Sequence, residues 1–71
     1  MDREVELSVI VPCFNEALNL PELARRTLAT FERGEIAGEL VLVDDGSRDD
    51  TADVIGGLED AHPEVTGVYH E

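Results

Sequence analysis

Glu39-Leu40-Val41-Leu42-Val43-Asp44-Asp45-Gly46-Ser47 is a β-branched apolar run that stops abruptly at an acidic, glycine-containing turn. Its apolar residues are consecutive rather than alternating, the pattern of a strand in the middle of a parallel sheet. Upstream, Leu7-Ser8-Val9-Ile10-Val11 has the same character and is ended by Pro12. It reads as a strand from about Val5, buried on both faces. Between the two, Asn19-Leu20-Pro21-Glu22 has the form of a capping box, with Asn19 as N-cap and Pro21 in the first turn. Leu20, Leu23, Ala24, Leu28 and Phe31 then form one apolar stripe, so a helix is expected to about Arg33, closed by Gly34 and Gly38. Beyond the acidic turn, a second helix is expected from about Asp50 to Ala61, with Val54, Ile55 and Leu58 on one face and Asp49 or Asp50 as N-cap. His62-Pro63 ends it, and Val65 to Tyr69 is a third strand. The fold class is therefore α/β: β-α-β-α-β, half of a doubly wound, Rossmann-like parallel sheet with right-handed crossovers. The half that would cover the remaining sheet edge is expected to be missing, which makes the unit truncated.

Seventy-one residues at 7.8 kDa fit one small domain. A chain of this size buries only about 60% of the surface its unfolded state exposes. Seventeen acidic residues against five arginines give a net charge of −12. Nucleic acid is excluded as a partner on that balance, because Arg3, Arg25, Arg26, Arg33 and Arg48 are scattered among carboxylates and form no basic stripe. An anionic membrane surface is disfavoured for the same reason. A hydrophobic fraction of 42%, arranged in periodic blocks, excludes a disordered acidic tail. Cys13 is the sole cysteine, so no internal disulfide forms and a reducing cytoplasm is the expected compartment. No apolar run approaches the ~20 residues of a membrane span. Acidity without lysine suits a high-salt cytoplasm, where screening relieves self-repulsion, and an Arg-favouring GC-rich genome produces the same bias.

Ligands of open parallel sheets bind outside the carboxyl ends of the strands. Two polar clusters fall there: Pro12-Cys13-Phe14-Asn15-Glu16 and Asp44-Asp45-Gly46-Ser47-Arg48. No G-x-G-x-x-G follows a strand, and the absence of lysine excludes a P-loop. A nucleotide here would be held by its base and ribose, with Phe14 as a flat apolar surface and Asp45 accepting from a ring N–H of uracil or guanine. Read singly, the same residues have plainer roles. Asp44-Asp45-Gly46-Ser47 reads also as an acidic turn capping the second helix, Phe14 as core, and Asn15 and Glu16 as loop or capping residues. Cys13 reads as a small buried hydrophobe, and Arg48 as a solvated turn residue or a phosphate contact. His62 and His70 lack metal-ligand spacing.

Taken together, Leu7 to Glu16, Asn19 to Leu23, and Leu40 to Ser47 with Asp50-Thr51 resemble the start of a family 2 glycosyltransferase of GT-A fold. Within that family the pattern is most similar to the polyprenyl-phosphate (dolichol-phosphate) mannose and glucose synthases. The resemblance implies that residues 1–71 are the N-terminal nucleotide-sugar-binding portion of a glycosyltransferase domain, the remainder being absent. It also implies that Pro12, Phe14 and Glu16 line the base and ribose of a UDP- or GDP-sugar, that Asp45 hydrogen-bonds the base, and that Asp44 supports the turn. The Mg²⁺ or Mn²⁺ ion and the catalytic base of such enzymes are implied by residues further along than this chain reaches, so no catalytic or metal residue is assigned here. The acceptor implied is a polyprenyl phosphate or a glycan. A full-length protein with membrane segments would then work at the cytoplasmic membrane face. Two other classes compete. One is a receiver-like domain, which the missing lysine and the position of the paired Asp on the second strand disfavour. The other is a non-catalytic truncated α/β protein acting as an interaction module through its open sheet edge.

Overall fold

The computed structural model describes residues 4–70, so Arg3, counted above among the cations, lies outside the described residues. Five elements follow one another: β1 (Leu7–Cys13), α1 (Leu20–Arg33), β2 (Gly38–Asp45), α2 (Thr51–Ala61) and β3 (Val65–His70). The strands form one parallel sheet in the order β1-β2-β3, so β2 is central as its apolar run requires. Leu7 pairs with Gly38 at one end of the first ladder and Cys13 with Asp44 at the other. On the far side of β2, Leu40 pairs with Val65 and Asp45 with His70. The architecture is a Rossmann-like α/β fragment, as the alternation of strand and helix patterns predicts.

One face of the sheet carries the core. Leu40, Leu42 and Val65 from the strands meet Leu20 and Ala24 of α1 and Ile55 of α2, with Cys13 at the upper edge. Full burial of each of the larger side chains contributes about 1.5–3 kcal/mol. Helix α2 approaches β3 so closely that a Cβ on Gly67 would lie 2.6 Å from Ile55 Cγ2. Gly38 likewise leaves room for the ring of Phe31, whose Cε1 would be 2.6 Å from a Cβ there.

Two expectations for β1 need correction. The strand does not stop at Pro12 but continues through it to Cys13. β1 is an edge strand of this sheet, where a residue without an N–H is tolerated. Nor is the strand buried on both faces: Ile10 is 65% exposed, and Val68 on β3 is also exposed. Both helices pack on the same face, the result of two crossovers of one hand that step in the same direction across the sheet. The opposite face, with Ile10, Val41, Val43 and Val68, is left partly open.

The helix ends also differ from the sequence reading in detail. Asn19 is the N-cap of α1, but its side chain makes no capping bond, and Asn19 Nδ2 donates to Glu16 Oε2 at 2.9 Å instead. Glu22 does not close a capping box either, because its carboxylate accepts from Arg25 and Arg26, which hold its pKa down at about 2. At the other end, Gly34 is the C-cap with φ of −87°, and the left-handed position falls on Glu35 at φ 53°. Glu35 N–H donates to the Glu32 carbonyl and Ile36 N–H to the Phe31 carbonyl, the paired bonds of a Schellman motif. A glutamate therefore occupies the position that glycine usually fills, at a cost of about 1–2 kcal/mol. Replacement Glu35→Gly is expected to raise stability by about 0.5–1 kcal/mol, the residue being exposed and the strain outweighing glycine's added chain entropy. Chemical denaturation of the two proteins measures this, and a lower midpoint for the variant contradicts it.

Candidate functional site

Because Cys13 pairs with Asp44, the chain leaves β1 and β2 at the same edge of the sheet and at the same level. Phe14 follows Cys13 and Asp45 follows Asp44, so these two residues emerge side by side from adjacent strands. Phe14 is 57% exposed, which removes the reading of it as a core residue, and Asp45 is exposed too. Consecutive strand residues face opposite ways, so Asp44 and Asp45 diverge. Asp44 is 5% exposed and turns toward the helices, where its Oδ1 accepts from Ser47 N–H at 3.1 Å and tightens the turn around Gly46 (φ 72°). Pro12 lies on the open face with Asp45. Glu16 is half-buried in the loop above β1, its carboxylate held by Asn19.

Sequence reasoning assigned no role to what joins the two loops. Asn15 takes a left-handed conformation at φ 52°, one that asparagine tolerates better than most residues. Its N–H donates to Ser47 Oγ, and its Oδ1 accepts from Arg48 N–H, both at 2.9 Å. Glu16 N–H donates to Thr51 Oγ1 at 2.9 Å, and Ala17 N–H to Asp49 Oδ2 at 3.3 Å. The Thr51 hydroxyl, fully buried, passes the connection on by donating to Asp49 Oδ1, which also accepts from Thr51 N–H. Asp49 thus caps α2, whereas Asp50, the N-cap by position, makes no side-chain bond. The Thr51 hydroxyl and these amides hold the Asp49 carboxyl below the usual aspartate value. The only local signals were an asparagine after a strand and a Ser/Thr/Asp-rich turn, which are ordinary loop residues until the partner loop is known.

Cys13 lies beneath this edge, 1% exposed, with its Sγ 3.4 Å from the Val11 carbonyl. Burial, reinforced by the charges of Glu16 and Asp44, raises its pKa, so it behaves as a buried apolar group and not as a nucleophile. Tyr69 pairs with Asp44 across the ladder, and its hydroxyl donates to Glu59 Oε1 at 2.7 Å. Burial, the bond to Glu59 and the charges of Glu59, Asp44 and Asp60 push the phenol up to about 12.

A separate groove runs along α1 toward the opposite end of the strands, with Arg25, Glu32, Glu35, His62 and Glu64 on its walls. None of Pro12, Phe14, Glu16, Asp44 or Asp45 lines it. Its mixed charges converge on no common atom type, whereas the strand edge joins an exposed ring to an exposed carboxylate. Among the described residues no three His, Cys, Asp or Glu side chains converge to hold a metal ion. Asp44 and Asp45 stand on opposite faces of β2, so their carboxylates do not converge on one point. No helix among the described residues is long and apolar enough to cross a membrane.

The fold and the clustering at the carboxyl edge define a Rossmann-like α/β segment with its candidate site at the β1 and β2 loops. Comparison with known families matches residues 8–71 to the model for glycosyl transferase family 2, and the chain belongs to that family. It is 46% identical over 56 residues to the undecaprenyl-phosphate 4-deoxy-4-formamido-L-arabinose transferase of Sodalis glossinidius, covering 79% of this chain and 17% of that protein. The enzyme of the same name from Pseudomonas syringae pv. syringae is 51% identical over 49 residues, covering 69% of this chain and 14% of the relative. The similarity to the polyprenyl-phosphate sugar transferases within family 2 is thereby confirmed, and this chain spans only about a sixth of the length of such proteins.

Tyr69 is the sole tyrosine, so ultraviolet titration reads the state of this edge directly. The folded chain is expected to ionise near 12, against about 10 for the unfolded chain. The neutral phenol is the form favoured by folding. Its stabilisation is therefore complete below pH 10 and lost as pH rises through 12. Glu59→Gln should bring the midpoint down toward 10, and an unaltered midpoint would show that Glu59 does not hold the phenol.

Proposed function

We propose that the edge formed by the β1 and β2 loops binds the nucleotide of a UDP- or GDP-sugar. The base lies on Phe14 and donates a ring N–H to the Asp45 carboxylate. Pro12 and Glu16 border the ribose, while Asp44 acts from below by holding the Gly46 turn through Ser47. The observation that carries this reading is the emergence of an exposed aromatic ring and an exposed carboxylate from register-paired ends of two parallel strands. An acceptor-only carboxylate selects bases that present a ring N–H, which uracil and guanine do and cytosine and adenine do not.

The relatives are named as transferases acting on undecaprenyl phosphate, and the whole protein to which this segment corresponds is proposed to transfer a sugar to a polyprenyl phosphate at the cytoplasmic membrane face. The sugar is a hexose or a formamido-arabinose like that in the relatives' name. Transfer requires stabilisation of the diphosphate leaving group and a base for the acceptor, roles that fall to a divalent ion and a carboxylate in the rest of such an enzyme. These 71 residues supply the binding end alone, and no turnover is expected from them.

A charge-assisted hydrogen bond is worth about 1.5–3 kcal/mol, and 1.4 kcal/mol corresponds to tenfold in affinity. Asp45→Asn is therefore expected to weaken UDP or GDP binding at least tenfold in a chemical-shift titration. Unchanged affinity for both nucleotides would remove Asp45 from the site.

A further inference from the structure

We propose that Asn15, braced by Thr51, is the positioning residue that holds Phe14 and Asp45 in fixed relation to one another. The proposal rests on the reading of this edge as a nucleotide site, although Asn15 itself contacts no ligand in it. Phe14 lies just beyond the last pair of the β1/β2 ladder, Cys13 with Asp44, and Asp45 is paired only on its other side, with His70 of β3, so no ladder bond ties the two to one another. What fixes them comes immediately after. Asn15 reverses the chain next to Phe14 and engages the turn after Asp45 twice, as donor to Ser47 Oγ and as acceptor from Arg48 N–H. One residue thereby joins the two loops in opposite hydrogen-bonding senses, and such a reciprocal pair resists both separation and sliding.

Thr51 supplies the second anchor from below. Its hydroxyl is buried and accepts from Glu16 N–H while donating to Asp49, whose other carboxylate oxygen accepts from Ala17 N–H. Three successive amides of the first loop, at Asn15, Glu16 and Ala17, thus end on side chains of the second. All of these partners lie 32 to 35 residues apart in sequence, so only the folded register brings them together. Loops held this way before a ligand arrives lose little further freedom on binding, which is how pre-organisation raises affinity without new contacts.

Three variants of the chain test the assignment. Asn15→Gly keeps the left-handed backbone and deletes the acceptor, Asn15→Asp keeps both, and Thr51→Val removes the hydroxyl at nearly constant volume. In Asn15→Gly, amide exchange at Arg48 is expected to accelerate at least tenfold while that of buried Leu42 is unchanged. The order parameters of Phe14 and Asp45 should fall together, and the dissociation constant for UDP or GDP should rise at least tenfold. Asn15→Asp should restore all three, and Thr51→Val should release the Glu16 amide and loosen Phe14. Freed loop amides with unchanged order at Phe14 and Asp45 would overturn the proposal, as would equal acceleration at Leu42, which marks a merely structural role. Failure of the unsubstituted chain to bind either nucleotide would defeat the functional reading, and the order parameters alone would then decide the positioning role.

Discussion

Parallel pairing of β1 with β2 is the constraint on which the remaining features depend. Two parallel strands finish at the same edge, so the loops after Cys13 and Asp45 meet; an antiparallel pair would send them to opposite ends. Parallel order also demands a return path of strand length. The 14 residues of α1 provide about 21 Å of helix, close to the span of the seven residues of β1 at about 3.3 Å each. Helix α1 therefore brings the chain back to Gly38 beside Leu7, and α2 repeats the manoeuvre for β3.

The same order decides where apolar surface is buried. Both helices fall on one face, so Leu40, Leu42, Ile55 and Leu20 make the core while Ile10 and Val68 stay exposed. Charge follows a corresponding division. Arg25, Arg26 and Arg33 belong to α1 and Arg48 to the clasped turn, so no described cation lies on the open face. That face presents Ile10, Val41, Val43 and Val68 with Glu39 and Asp45 among them, an arrangement that leaves Asp45 free of the pairing that neutralises Glu22.

The strands and helices were legible in the sequence because each local signal agreed with the fold. β-branched runs marked the strands, the stripe from Leu20 to Phe31 marked α1, and His62-Pro63 marked the end of α2. An apolar run states that a strand is fit to be covered on both sides, not that anything covers it, which is why the exposure of Ile10 was not foreseen. Caps were placed correctly by position and wrongly by chemistry. Asn19 and Glu22 bond other partners nearby, and Glu35, not the C-cap Gly34, takes the left-handed turn. Of the candidate site, Phe14 and Asp45 follow from strand ends and chemistry alone. The bonds of Asn15, Thr51 and Asp49 did not, because a hydrogen bond across more than thirty residues is a property of register and has no local pattern.

The proposed nucleotide site of this family 2 chain lies at the common edge of β1 and β2, and not in the groove beside α1. Chemical-shift mapping of the uniformly labelled 71-residue chain with UDP and GDP locates the site residue by residue. Resonances of residues 12–16 and 44–48 are expected to move in saturable fashion for at least one nucleotide, with those of Glu32, Glu35, His62 and Glu64 unmoved. Saturable shifts confined to the latter group would contradict this placement.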